Sequence, residues 1–433
     1  MKSSLQVITL GCSKNTVDTE HLLGRLGDAF SIVPEEYTGK VDFLLLNTCG
    51  FIGDAKEESI NAVLEAVERK KRGDVGKLIV FGCLSQRYSF EMPGLIPEVD
   101  EWYGARDLDP VVRALGVDPS ARADIARHLS CPGKGYAYLK ISEGCDRRCS
   151  YCAIPHIRGA HRSVPVEKLV EEAAELAKKG IKELVVIAQD TTYYGLDLYG
   201  RRSLAELLQR LSKVPGIEWI RIHYSYPADF PEDVLDQMAT NPKVCKYLDI
   251  PLQHVSDPVL KCMRRNVDGK WTRELIRTLR QRVPGVALRT TMMVGHPGEG
   301  ESEFDELMDF IRKAGFERLG AFAYSEEEGT YGAGHFKDEV PAEVKQSRLD
   351  ALMELQRNVS LDFNRSRVGS VEKVIVDDYV DGILVCRSRF ESPDVDGEIL
   401  VKYDGADAGE LVGNFIDVRI EGADEYDLIA CRI

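Results

Sequence analysis

Three cysteines, Cys145, Cys149 and Cys152, stand in the stretch EGCDRRCSYCAIP at the spacing C-x3-C-x2-C, and no fourth cysteine follows nearby. Thiolates this close in sequence can share a metal site, and two chemistries fit. A structural zinc needs four donors and could take His156, four residues after Cys152, to complete a Cys3His set. A four-iron cluster held by three cysteines would instead leave one iron open to a further ligand. Spacing alone admits both.

Three more cysteines recur in one structural place. VITLGC, LLLNTC and LIVFGC each end an apolar run with a cysteine one or two residues beyond it. These are Cys12, Cys49 and Cys83, separated by 37 and 34 residues, about one strand-helix-strand unit. Ligands of an open parallel sheet bind beyond the carboxyl ends of its strands, so the three can converge on one point. A lone cysteine there would read as a small core hydrophobe; the repeated placement favours a shared metal site. Cys131, Cys245, Cys262, Cys386 and Cys431 read as ordinary thiols, mostly buried.

The elements that must position these residues fall into three blocks. Over residues 1–118 the strand patterns LQVITL, DFLLLN and KLIVF alternate with the helical patterns VDTEHLLGRLG and DAKEESINAVLEAVERKKRG, which predicts an open parallel α/β sheet. Residues 119–135, rich in small residues, Pro and Gly, read as a linker. From 136 to 366 the strands AYLKIS, KELVVIA, WIRIHYS, KYLDIP, VALRTTMMV and RLGAFAY alternate with helices, which predicts a central partial (β/α) barrel. The clustered cysteines then lie on the loop after its first strand, at the end where such barrels keep their functional loops. Gln189 and Asp190, after KELVVIA, and Arg289, on VALRTTMMV, are placed to face the same mouth, where Arg289 could pair with a carboxylate. Residues 367–433 carry five short strand patterns, with Asp-Gly hairpin signals at 381/382 and 396/397, and predict a small closed β-barrel of the OB-like kind.

Composition narrows the function classes. A chain of 433 residues, 44% hydrophobic and 29% charged, is long enough for two or three folded domains. Its apolar runs fall short of the roughly eighteen residues that cross a bilayer. MKSSLQVITLGC is too brief for a secretory signal, so a cytoplasmic location with reduced thiols and no membrane association is expected. Eleven cysteines, an odd count, argue against a disulfide framework. A net charge of −15 speaks against broad nucleic-acid binding. Residues 370–433 hold sixteen Asp or Glu against six Lys or Arg, so direct RNA binding by the terminal barrel is not expected and a basic protein suits it better.

GCDRRCSYC, with Tyr151 just before the last cysteine and the barrel loop as its setting, resembles the signature of the radical S-adenosylmethionine enzymes. The resemblance implies that Cys145, Cys149 and Cys152 hold a [4Fe-4S] cluster whose open iron is chelated by S-adenosylmethionine. An electron passed through that iron would break the adjacent carbon–sulfur bond, and the resulting 5′-deoxyadenosyl radical takes hydrogen from an unactivated carbon, beyond the reach of acid–base side chains. With Cys12, Cys49 and Cys83 and the terminal barrel, the whole chain resembles the methylthiotransferase family. That implies a second [4Fe-4S] cluster on the strand-end cysteines, carrying the sulfur to be transferred, and a TRAM domain at the C-terminus. Tyr151, Gln189, Asp190 and Arg289 become candidates for cofactor contact, Tyr151 beside the adenine.

The stretches CAIPHIRG, VVIAQDTTYYG, YLDIPLQH, AYSEEEGTYG and SRFESPDVDGEILV resemble the branch of that family that modifies ribosomal protein S-twelve. The implied reaction is methylthiolation of an aspartyl β-carbon, with S-adenosylmethionine as both methyl donor and radical source and an electron donor such as flavodoxin or ferredoxin. GHPGE at 295–299 departs from the family, which more often has Phe at the place of His296. His223, His254 and His296 are expected to be hydrogen-bonded structural residues. Two rivals stand beside this reading: the same chemistry on a transfer-RNA adenosine, and a non-catalytic metal-binding protein that docks on ribosomes.

Overall fold

The computed structural model describes residues 2–130 and 133–433; Cys131 lies outside them. The N-terminal block is a five-stranded parallel sheet in the order β2-β1-β3-β4-β5, made of β1 (Ser4–Thr9), β2 (Ser31–Ile32), β3 (Val41–Thr48), β4 (Val75–Gly82) and β5 (Glu101–Trp102). The central strands are almost continuously apolar because helices cover both faces. Leu44, Leu46, Leu78 and Val80 pack on Val63 and Val67 of helix α2 (Gly53–Lys71). Leu45, Ile79 and Phe81, alternating with them, pack on Leu22 and Leu23 of helix α1 (Ser13–Leu26). The register aligns Thr9 with Asn47 and Asn47 with Phe81, so β1, β3 and β4 end at one level. Cys12, Cys49 and Cys83 therefore leave the same edge of the sheet, Cys83 as the first residue of the short helix α3 (Cys83–Arg87).

The central block is an open parallel sheet of six strands, β6 (Tyr136–Lys140), β9 (Glu183–Ile187), β10 (Trp219–Ile222), β11 (Val244–Asp249), β12 (Ala287–Val294) and β13 (Arg318–Ala323), adjacent in chain order. A two-stranded ribbon, β7 (Ser142–Glu143) with β8 (Arg162–Ser163), brackets the cysteine loop. Period-two alternation divides each strand. Leu139, Leu184, Val186, Ile220, Ile222, Leu248 and Leu288 join the helices in the large core. The alternate residues Tyr138, Arg221, Tyr247 and Arg289 face the other way and give the partial barrel a polar, aromatic interior.

Helix Ala342–Ser366 leads into the closed terminal barrel, in the order β14-β15-β16-β18-β17. Its strands are β14 (Val371–Val380), β15 (Ile383–Arg387), β16 (Ile399–Lys402), β17 (Phe415–Ala423) and β18 (Leu428–Arg432). Asp381-Gly382 forms the expected tight hairpin, both residues having positive φ, 51° and 80°. Asp396-Gly397 does not. It closes a long connection between β15 and β16, because Asp396 is used elsewhere: it accepts from Tyr247 Oη at 2.7 Å and from the Ser392 amide at 2.8 Å.

That connection plugs the partial barrel from the end where its strands begin. Arg221 donates to the carbonyls of Arg389 and Ser388 at 2.8 and 3.2 Å. Tyr138 and Tyr136 donate to Asp394 at 2.6 and 3.2 Å. Ser392 Oγ meets His223 Nε2 at 2.6 Å. Glu391 binds Arg318 at 2.8 Å and also Arg367. The acidic count of the terminal domain is thus partly internal: Asp377, Glu391 and Asp396 pair with arginines. Asp378, Glu398, Asp404, Asp417 and Glu421 remain exposed.

Candidate active site

The two cysteine triads meet where the N-terminal sheet docks on the mouth of the partial barrel. Cys83 and Ala105 pack against Ala153 and Ile157, next to the second triad. Burial, and after it the neighbouring thiols, oppose ionisation of Cys83, Cys145 and Cys152. Burial first, then Cys12 and Cys49, push the Cys83 thiol up to about 12, against the pull of Arg158. Burial likewise pushes Cys145 up to about 12, with Asp190 and Cys149 adding to it, while Cys152 is raised by burial, Cys149 and Cys145. A bound cation offsets the charge of a coordinating thiolate, so both cysteine sets suit a metal centre.

His156 bears on the two metals left open by spacing. Tetrahedral zinc, with Zn–S bonds of about 2.3 Å, needs its donors crowded round one point. His156 is exposed, and its carbonyl accepts from Arg106 Nη2 at 2.6 Å. A cube of four irons held by three thiolates needs no fourth side chain.

Polar residues converge on the Cys145 triad from the strand ends. Arg147 donates through Nε to Asp190 Oδ2 at 2.8 Å and lies over the Tyr226 ring at 4.0 Å. Arg265 covers the same ring at 4.2 Å and approaches Cys149 Sγ at 3.6 Å and Tyr151 Oη at 3.3 Å. Gln189 donates to Glu143 at 2.8 Å. Several buried atoms here have no hydrogen-bond partner among the described residues: one Nη of Arg147, Nε of Arg265, Oε1 of Gln189 and Oε1 of Gln253. Buried polar atoms are almost always satisfied, so these are suited to the amino, carboxylate and ribose groups of a bound ligand.

Of the residues singled out from sequence, Tyr151, Gln189 and Asp190 lie at this mouth. Asp190 also accepts from Thr192 N at 2.9 Å, so its carboxylate is largely spent on shaping the loop and holding Arg147. Arg289 sits elsewhere. It lies five residues short of the end of β12, pairs with Asp249 at 3.0 Å and Asp396 at 3.4 Å, and belongs to the barrel interior rather than its rim. The histidines are hydrogen-bonded: His296 to Pro297 O at 2.9 Å, and His254 to the Ser256 amide at 3.0 Å with Glu299 at 3.2 Å. Burial lowers His223 to about 3 and His296 to about 4, so both are neutral at pH 7. Cys245 and Cys386 are buried, Cys262 and Cys431 half-buried.

Sequence reasoning missed Arg147, Arg158, Arg265, Lys140 and Glu143, and the first turns of α1, where Lys14, Asn15 and Asp18 are all buried. The available signal was polarity on every side of a helix that starts beside Cys12. Burial on all sides follows from its place between the sheet and the barrel: Lys14 Nζ lies 2.9 Å from the Tyr224 ring centre, and Lys140 pairs with Asp18.

Gly11 shows how tightly the N-terminal triad is built. Its φ is +92°, and a Cβ there would lie 2.7 Å from Cys49 Cβ and 3.0 Å from Cys49 Sγ. Gly11→Ala is expected to halve the iron bound per chain and to leave the Cys145 triad loaded, as iron analysis and absorbance spectra would report.

A cysteine triad on the first loop of a parallel partial barrel defines a radical S-adenosylmethionine enzyme, and residues 139–311 match the radical SAM superfamily. Residues 4–104 match the uncharacterized protein family UPF0004, and residues 368–433 match the TRAM domain. Among solved structures, the radical S-adenosylmethionine methyltransferase TsrM from Kitasatospora setae superposes with a TM-score of 0.59 at 14% identity, over 95% of this chain and 85% of that one. The cobalamin-dependent enzyme OxsB superposes at 0.54 and 13% identity, over 80% and 56%. These share the fold. Curated relatives run the full length: ribosomal protein uS12 methylthiotransferase RimO of Bacteroides thetaiotaomicron is 50% identical over 99% of this chain and 98% of its own. Its counterparts in Porphyromonas gingivalis and Flavobacterium johnsoniae are each 49% identical, over 99% of this chain and 99% and 97% of theirs. The chain belongs to the ribosomal protein uS12 methylthiotransferase family of radical S-adenosylmethionine enzymes. Family membership brings S-adenosylmethionine and two [4Fe-4S] clusters as cofactors, which the two thiol triads fit.

Proposed function

We propose that this enzyme replaces a hydrogen on the β-carbon of an aspartyl residue of ribosomal protein uS12 with a methylthio group. The observation that carries the reading is the convergence of two thiol triads from two domains on one interface. In it Cys145, Cys149 and Cys152 hold the cluster that meets S-adenosylmethionine, and Cys12, Cys49 and Cys83 hold the second. When bound, the first supplies a radical able to take hydrogen from an unactivated carbon and the second supplies the sulfur.

The chain's own residues bind, orient and seal. Gln189 offers its unpartnered oxygen to a donor on the ligand, Asp190 holds Arg147 against Tyr226, and Arg265 places positive charge beside Cys149 and Tyr151. The docked N-terminal sheet and the plugged barrel bury Cys49 and Cys83 and half-bury Cys145, Cys149 and Cys152, and enclosure of this kind protects a reactive radical from side reactions. Arg289 pairs with Asp249 in the barrel interior. The electron donor is a small reductant of the flavodoxin or ferredoxin type, and the reaction takes place in the cytoplasm.

The exposed carboxylates of the terminal barrel favour a basic protein partner and would repel a phosphate backbone. Reconstituted enzyme incubated with a peptide spanning the uS12 aspartate and, separately, with unmodified transfer RNA is expected to modify the peptide alone. Methylthiolated nucleoside with an unchanged peptide would reverse the assignment.

A further inference from the structure

We propose that Arg158, carried by the barrel domain, completes the N-terminal metal site by donating its Nε–H to the Cys83 sulfur, and so raises the reduction potential of the centre that Cys12, Cys49 and Cys83 hold. The inference rests on the proposal that those three cysteines hold a cluster.

The guanidinium is 2% exposed, and each of its nitrogens has a partner. Nε lies 3.2 Å from Cys83 Sγ. Nη1 donates to Asp18 Oδ2 at 2.7 Å, Glu143 Oε2 at 3.2 Å and Ala105 O at 3.4 Å. Nη2 donates to Asn15 Oδ1 at 2.6 Å. Asp18 and Asn15 follow Cys12 on α1, while Glu143 precedes Cys145, so one side chain touches the surroundings of both triads. The grip is reciprocal. Arg106, from the N-terminal domain, donates to the carbonyls of Ile157 and His156 at 2.9 and 2.6 Å and fixes the short helix that carries Arg158.

Such a fork is aimed, not incidental. A guanidinium buried in the core of an interface is stable only with carboxylates beside it. Asp18 and Glu143 serve that need, and Lys140 shares both of them. With its two Nη groups anchored, Nε has one direction left, and it points at sulfur. Hydrogen bonds to cluster thiolates, and positive charge near them, stabilise the more negative reduced state and raise the potential. Because the donor comes from the other domain, the N-terminal centre acquires its full potential only when the two domains are docked.

The test uses full-length protein with Cys145→Ala, Cys149→Ala and Cys152→Ala, reconstituted anaerobically so that only the N-terminal triad carries iron. Its midpoint potential is measured by dye-mediated titration, at matched iron content, with Arg158 intact, with Arg158→Lys and with Arg158→Gln. Lysine keeps the charge and loses the Nε donor; glutamine loses both. A fall in potential for lysine and a larger one for glutamine supports the proposal. Lysine indistinguishable from arginine overturns the hydrogen bond, and three equal potentials overturn any role for Arg158 at the centre. Absence of iron from the parent with Arg158 intact would instead remove the cluster reading of Cys12, Cys49 and Cys83, and the inference with it.

Discussion

Alanine at Cys145, Cys149 and Cys152 together is expected to abolish 5′-deoxyadenosine formation and to lower bound iron from about eight to about four atoms per chain. Alanine at Cys12, Cys49 and Cys83 is expected to lower iron equally, keep reductive cleavage of S-adenosylmethionine and abolish transfer to the peptide. The opposite losses follow from the division of labour between the two domains: one triad lies on the barrel's first loop, the other at the ends of β1, β3 and β4. Iron analysis, chromatographic quantification of 5′-deoxyadenosine and mass spectrometry of the peptide read the three outcomes separately. Equal loss of cleavage in both triple variants would contradict the division.

Glu391→Gln is expected to destabilise the docking of the terminal barrel by about 3–5 kcal/mol. The carboxylate is 1% exposed and sits between Arg318 and Arg367, with the Ser388 amide and hydroxyl at 3.0 and 2.7 Å. Losing its charge leaves two buried guanidinium groups facing an amide. Burial pushes the Glu391 carboxyl up, but Arg367 and Arg318 outweigh it and hold it far below the ordinary range. A carboxyl depressed in the folded state contributes stability that is fully present above its unfolded value, about 4.3, and is lost as pH falls toward the folded value. The gap between wild type and Glu391→Gln should therefore be constant from pH 8 to about 5 and shrink only in stronger acid. Denaturant unfolding of the metal-free protein across that range checks the pH course, and limited proteolysis checks release of the terminal domain at neutral pH.

Much of this site was legible because it follows from local pattern. Apolar runs ending in LGC, NTC and FGC announce strands with a cysteine at the outlet, and the parallel register then brings Cys12, Cys49 and Cys83 to one edge. The six barrel strands were equally plain from period and length. What the pattern did not carry is docking. Arg158 lies in CAIPHIRG and Asp18 in NTVDTE, 140 residues apart, and nothing in either stretch says that they meet at 2.7 Å. Asp396-Gly397 has the composition of a hairpin, yet tertiary demand from Tyr247 and Arg289 on Asp396 overrides the local turn preference. A strand pattern fixes which face Arg289 takes, but not that Asp249 on the neighbouring strand and Asp396 of the terminal domain are the carboxylates that meet it.

The most direct test of the central claim uses a uS12 peptide deuterated at the aspartyl β-carbon, with reconstituted enzyme, S-adenosylmethionine and a low-potential reductant. Deuterium in the 5′-deoxyadenosine and a methylthio group on the same aspartyl residue are expected. Abundant 5′-deoxyadenosine free of deuterium, with the aspartate unmodified, would contradict that claim.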